Sequence, residues 1–264
     1  MKRRDAIQVI GWSLVGLQLG ERWLAAEENW QETMELGAFI CHAQFPIPSI
    51  QNQLNVLTEL QTSIREKLIP APPKEKIELY VFRDEAAWRE YHAREFRNIP
   101  WRRALFVKPD VIIKTQRSRG KIFTFLSPKL EADLKHEGTH AILHAILGKP
   151  LPIWLDEGLA EYFERDPQWL EVTRKRLQEQ QMIPLKKLEK IYSMAGMTRD
   201  AYGDSWAWVT CLLDGPSEMR SILPEYLRDF KKLFCPSVSS RISRTRQKPD
   251  AILASFFAEA EPLP

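Results

Sequence analysis

The stretch His136-Glu137-Gly138-Thr139-His140, followed after sixteen residues by Glu157 in Trp154-Leu155-Asp156-Glu157-Gly158-Leu159-Ala160-Glu161-Tyr162, decides how this chain reads. On a helix, His136 and His140 lie one turn apart, about 6 Å along the axis, so both rings reach one cation while Glu137 flanks it. The local pattern predicts that helix: Leu130, Leu134, Ala141, Ile142, Ala145 and Ile146 recur at helical spacing over residues 129–147, with Gly148 and Pro150 to stop it. Gly138 inside the helix costs about 1 kcal/mol relative to alanine, tolerable where the backbone there must be approached closely. Two imidazoles leave a zinc ion short of protein ligands, and Glu157 fills the vacancy best.

These segments resemble those of the gluzincins, metallopeptidases in which H-E-x-x-H on one helix is completed by a glutamate on a second. More narrowly, Trp154-Leu155-x-Glu157-Gly158-x-Ala160-Glu161-Tyr162 is similar to the core of small bacterial members of the peptidase MA-like superfamily. The match covers residues 128–165, with a looser likeness to about 213. The resemblance implies an α+β zincin-like fold, a small mixed sheet packed on the H-E-x-x-H helix and a mostly helical C-terminal half. It implies Zn²⁺ held by His136, His140 and Glu157, with Glu137 as general base in the hydrolysis of a peptide or protein substrate. It implies Glu161, one turn after Glu157, as the carboxylate that orients a ligand histidine. It implies Tyr202, in the Tyr202-Gly203-Asp204-Ser205-Trp206 element, as the oxyanion donor, with Tyr192 and Tyr162 as substitutes. Finally it implies an edge strand at Lys121, Ile122, Phe123, Thr124 and Phe125 that pairs with an extended substrate.

The departures narrow the class. The chain lacks the Gly-x-Met-Glu-Asn segment with which aminopeptidases of that group pin a substrate amine. Metzincins would require a glycine at position 143 and a histidine at position 146, where this chain has Leu143 and Ile146. His144 is one turn beyond His140, but three ligands on successive turns of a straight helix span about 12 Å, too far to converge on one ion. His144 therefore reads as a supporting or core residue.

The remaining chain supplies context. A length of 264 residues, 44% apolar and 28% charged, describes a globular protein, and a net charge of +3 is not a nucleic-acid signature. Residues 1–26 carry most of that excess. Lys2-Arg3-Arg4, the apolar run from Ile7 to Leu19 and Leu24-Ala25-Ala26 follow the order of an export signal. Arg3-Arg4-Asp5-Ala6-Ile7 resembles a twin-arginine leader, which implies a periplasmic or extracellular protein. A packed first helix and a retained membrane anchor are the alternatives, and stable membrane insertion is expected only if the leader is retained. Cys41, Cys211 and Cys235 form no framework, although Cys211 and Cys235 could bridge outside the cytoplasm. Nothing in the sequence specifies an oligomeric state.

Residues 27–73 read as a helical elaboration and linker: mostly helix over 29–70, with Leu54, Leu57, Leu60, Ile64 and Leu68 as its packing face, then the stiff Pro70-Ala71-Pro72-Pro73. Residues 74–264 form the catalytic domain. Alternation over Ile77 to Phe82 predicts a strand, Ala86 to Phe96 a helix, and Leu105 to Val107, Val111 to Thr115 and Ile122 to Leu126 further strands. Lys114, Arg117, Arg119 and Lys121 make the last hairpin basic, a solvated end or a bias toward acidic ligands. Trp154, Trp206 and Trp208 read as core, and Arg241 to Lys248 as a basic surface segment. Two other classes remain, a non-catalytic zinc-containing interaction module of the cell envelope and a basic surface-binding protein whose histidines take metal incidentally.

Overall fold

The computed structural model describes residues 29–108, 119–245 and 248–259. The expected leader and the strand at 111–115 lie outside those residues. Five strands form one mixed sheet: β1 (Glu32–Leu36), β2 (Phe39–Ala43), β3 (Ile77–Phe82), β4 (Leu105–Val107) and β5 (Lys121–Phe125). Their order is β1-β2-β3-β5-β4, with β2-β3 and β3-β5 parallel and the outer pairs antiparallel. Helices follow the chain as α1 (Gln51–Lys67), α2 (Glu85–Glu95), α3 (Leu130–Leu147), α4 (Ile153–Glu164), α5 (Gln168–Gln178), α6 (Leu185–Leu188) and α7 (Arg199–Asp214). The set ends with α8 (Ser217–Arg220), α9 (Ile222–Asp229), α10 (Val238–Ile242) and α11 (Pro249–Glu259). The fold is α+β, with a mostly helical C-terminal half.

The two faces of the sheet bury different residues because side chains alternate along each strand. Ile77, Leu79, Val81 and Ile122 face α1 and α3, where Leu54, Leu57, Leu60, Ile64 and Leu134 complete the larger core. Tyr80, Phe82, Phe123 and Phe125 face the other way, against Trp88, Tyr91 and Phe96 of the α2 region. Among the described residues no helix is long and apolar enough to cross a membrane.

Helix over residues 29–70 is confined to α1; the part before it is a β-hairpin. Gly37 turns at φ +57°, a conformation that suits glycine, and Phe39, Cys41 and Ala43 then alternate inward. The chain on both sides of Pro70–Pro73 shares one sheet, since β2 pairs with β3. The three cysteines are free; Cys211 is buried in α7, while Cys235 Sγ lies 3.8 Å from the Tyr226 carbonyl. Arg241 is buried and paired with Asp229 at 2.9 Å rather than part of a solvated segment.

Three close approaches fix the helices around the future site. A β-carbon on Gly138 would stand 3.0 Å from methyl groups of Leu57 and Leu60, so α1 crosses α3 there. A β-carbon on Gly158 would stand 2.8 Å from the Ser205 carbonyl oxygen, so α4 and α7 meet backbone to backbone. Arg176 of α5 holds the fully buried Asp204 of α7 through Nε at 2.8 Å and Nη2 at 2.9 Å, and Asp204 also accepts from the Ile183 amide.

The first two contacts predict an asymmetry. G158A should destabilise the protein by about 1–3 kcal/mol, the range for overpacking, because a carbonyl cannot turn aside. G138A should cost less, because leucine side chains can. Urea unfolding measures both, and a larger loss in G138A would contradict the packing. D204A, which removes the buried partner of Arg176 and the acceptor of the Ile183 amide but leaves Arg176 its contacts with Asp200 and the Gln181 carbonyl, should cost about 1–3 kcal/mol in the same assay.

Candidate metal centre

The α3 helix turns His136 and His140 toward Glu157 of α4 and Glu137 toward Phe106 of β4, and Gly148 ends it in the left-handed conformation at φ +72°. Pro152 then starts α4, so Glu157 returns beside the two histidines after a short turn. His136 Nε2 lies 3.6 Å and His140 Nε2 3.8 Å from the same oxygen, Glu157 Oε2. The imidazole rings meet edge to face with centroids 5.1 Å apart. Donors about 2.0–2.1 Å from a tetrahedral ion stand about 3.4 Å from one another, close to the two His–Glu157 separations, and all three ligand atoms lie within 4.8 Å of one another. The residues present thus fit a divalent metal: a buried His/His/Glu cluster with a fourth position left over.

The outer nitrogens are also engaged. His136 Nδ1 meets Glu164 Oε2 at 2.9 Å, and His140 Nδ1 approaches Asp156 Oδ1 at 3.2 Å, at an angle short of a good hydrogen bond. A carboxylate behind a ligand imidazole fixes which nitrogen carries the proton and raises the basicity of the other. Glu161 is not that carboxylate. Its Oε2 accepts instead from the Trp169 indole at 2.6 Å, and burial pushes its own pKa up. Glu164, two turns beyond Glu157 on the same face, takes the place expected of Glu161. Asp156, the residue before Glu157, stands behind the other histidine, while Glu157 faces both rings.

Charge balance follows. Burial alone would neutralise His136, but Glu157, Glu164 and Glu137 outweigh it and hold the imidazole well above its usual range. His140 is raised for the same reason, against burial, by Asp156 and Glu157. Burial would raise Glu157, and the two imidazoles pull it below its usual range instead. His144 is buried outside this cluster, lowered by desolvation and by Lys108, with its ring 6.0 Å from that of Phe106.

The segment from Arg103 to Lys108 runs beside α3, joined to the site at three points. Arg103 Nε donates to both oxygens of Asp133 at 2.7 and 2.8 Å; the Phe106 amide donates to Glu137 Oε2 at 2.7 Å; Lys108 Nζ stands 3.5 Å from Asp156 Oδ2. This segment contains β4, which among the described residues is the outer strand on that side of the sheet. Lys121 to Phe125 is not the edge. β5 pairs with β3 on one side and β4 on the other, Ile122, Phe123, Thr124 and Phe125 are buried, and Lys121 sits 3.6 Å from Glu78. Arg119 also faces Glu78, at 3.5 Å.

Of the three tyrosines, Tyr202 is the one at the cluster. Burial and the charges of Glu157, Glu161 and Glu137 raise its phenol, while Arg102 acts in the opposite direction. Tyr162 is bound up with Lys67 at 2.6 Å and Asp214 at 2.8 Å, and Tyr192 is 79% exposed. No protein-family model matches the chain, and no curated protein matches it.

One divalent ion per chain is expected by metal analysis. E157A should lose it and H144A should keep it. E164A should weaken it by about 10- to 100-fold in a chelator competition, the usual cost of removing a carboxylate behind a ligand histidine, and E161A by less. Equal losses in E164A and E161A would contradict the assignment.

Proposed function

We propose that the protein is a zincin-like zinc hydrolase acting on peptide bonds. The observation that supports it is the donor count. Structural zinc sites close their shell with four protein ligands, whereas this cluster offers three, and a second carboxylate, Glu137, sits beside the pair of histidines outside that ligand set. Zinc in such a shell polarises a carbonyl and lowers the pKa of water.

The residues of the chain supply the rest. Glu137 Oε2 is tied to the Phe106 amide, which orients the carboxylate and leaves Oε1 to accept the proton of the attacking water. The same group can return that proton to the departing amine. Tyr202 donates its phenol hydrogen to the developing oxyanion; its raised pKa keeps that hydrogen in place at neutral pH. An extended substrate adds to β4, where main-chain hydrogen bonds hold a peptide without demanding one sequence.

The second reading is a non-catalytic zinc-containing interaction module. It needs nothing beyond the metal-holding cluster, and the His136/His140/Glu157 grouping is the observation that favours it.

E137Q separates the two. It should keep one equivalent of zinc and the fold while peptide hydrolysis falls by roughly 10²- to 10⁴-fold, the scale for a positioned general base. Y202F should lose about 10- to 10³-fold, mainly in kcat. Steady-state kinetics on a peptide selected from an unbiased library provides the measurement. Equal turnover by zinc-loaded wild type and E137Q removes Glu137 from the mechanism, and a folded, zinc-loaded wild type that cleaves nothing favours the interaction module.

A further inference from the structure

Between α9 and α10 the chain turns outward at Lys231-Lys232-Leu233-Phe234. Leu233 is 108% and Phe234 80% exposed, the two most exposed large apolar side chains among the described residues. The base of this turn is tied down. Lys149 donates from Nζ to the Phe230 carbonyl and lies over the Phe230 ring at 4.0 Å, and that ring packs 5.6 Å from Tyr226 of α9. Arg241 of α10 spans the other side, donating to Asp229 at 2.9 Å and to the Pro236 carbonyl at 3.3 Å. The four residues between therefore project from a fixed stem.

Ammonium groups gather around that stem. The Lys74 amide donates to the Ala145 carbonyl in the last turn of α3 at 3.2 Å, and Lys149 leaves the same turn just after Gly148. Lys74 meets Lys231, whose ammonium is held below its usual range first by that contact, then by desolvation and by Lys149. Lys232 is offset by Asp229 at 2.5 Å, but among the described residues no carboxylate pairs with Lys74, Lys149 or Lys231. Folding gains from neither arrangement, since apolar groups are left in water and like charges repel. A bilayer surface carrying anionic lipid relieves both: the apolar tip enters the boundary of the acyl chains, and lysines beside it reach lipid phosphates. A protein partner fits less well, because a specific interface takes roughly 800 Å² from each side, more than a two-residue apolar tip presents.

We propose that the turn at 231–234 docks the protein on a membrane surface that carries anionic lipids, with Leu233 and Phe234 inserted below the headgroups and Lys74, Lys149 and Lys231 against their phosphates. The contact is peripheral and needs no membrane-crossing helix, of which there is none among the described residues. It is independent of the peptide-hydrolase reading.

Flotation of the full chain with vesicles of phosphatidylcholine, alone or mixed with phosphatidylglycerol, measures the contact. Wild type should float with the mixed vesicles, and binding should weaken as salt rises. L233S/F234S should lower the partition coefficient by about 10- to 100-fold, the scale for withdrawing two partly inserted apolar side chains. K74S and K231S should each lower it by about 5-fold, the scale of one basic residue at an anionic surface. Every variant keeps residues 1–26, so any binding by that segment is common to all and only the share of the turn changes. Unchanged thermal unfolding shows that the substitutions leave the fold intact. A second readout is the tryptophan emission that F234W adds to wild type, which should move to shorter wavelength on mixed vesicles and stay in place on neutral ones. Equal partitioning of L233S/F234S and wild type would overturn the proposal, as would equal binding to neutral and mixed vesicles. No vesicle binding overturns it too, and self-association lost in L233S/F234S would then assign the tip to a second copy of the chain.

Discussion

The site depends on burying a carboxylate between two imidazoles. Glu157 leaves water for a crease where an unpaired charge would be severely penalised, and the attraction of His136 and His140 to it compensates only when the three atoms stand close. That demand propagates outward. It places α4 within reach of α3, which the turn at Gly148 allows, and presses α4 onto α7, which the bare backbone at Gly158 allows. It also calls for anions behind the histidines, supplied by Glu164 and Asp156, and these in turn need cations and hydrogen-bond donors of their own. The pairing extends through Lys108 and Arg103 into the strand segment beside α3, so sheet and metal cluster share one electrostatic network.

Much of this was legible in the residues because it is local. The H-E-x-x-H helix and its stop at Gly148 follow from spacing and chain punctuation, as do the packing face of α1 and the strand from Ile77 to Phe82. Trp154, Trp206 and Trp208 are in the core as their helical positions suggest. The hairpin before α1 was hidden because β1 lies at the edge of the sheet and carries Glu32, Thr33 and Glu35 where a buried strand would be apolar. Gly37, followed by inward Phe39, Cys41 and Ala43, was the available signal.

Non-local facts were harder to read. Which strand is outermost depends on pairings between distant segments, so β5 could not be distinguished from β4 by its composition, which is the more strand-like of the two. The choice between Glu161 and Glu164 is a similar case. Both lie on the Glu157 face of one helix, and the difference arises because Trp169, on α5, captures Glu161. Asp156 is a third case: its place behind His140 is set by how α3 and α4 pack, which spacing along α4 does not reveal.

The Gly158–Ser205 contact also orders events during synthesis. All three candidate ligands lie between residues 136 and 157, so the donors leave the ribosome together, after the whole sheet and before any of α7. Until Arg199–Asp214 has emerged, α4 presents its glycine-bared backbone with nothing against it, and Tyr202 does not yet exist as a neighbour of the cluster. The nascent chain therefore passes through a stage at which the ligand set is complete but its rear wall is missing. A metal ion captured at that stage would be held by the donors before the scaffold that fixes their geometry.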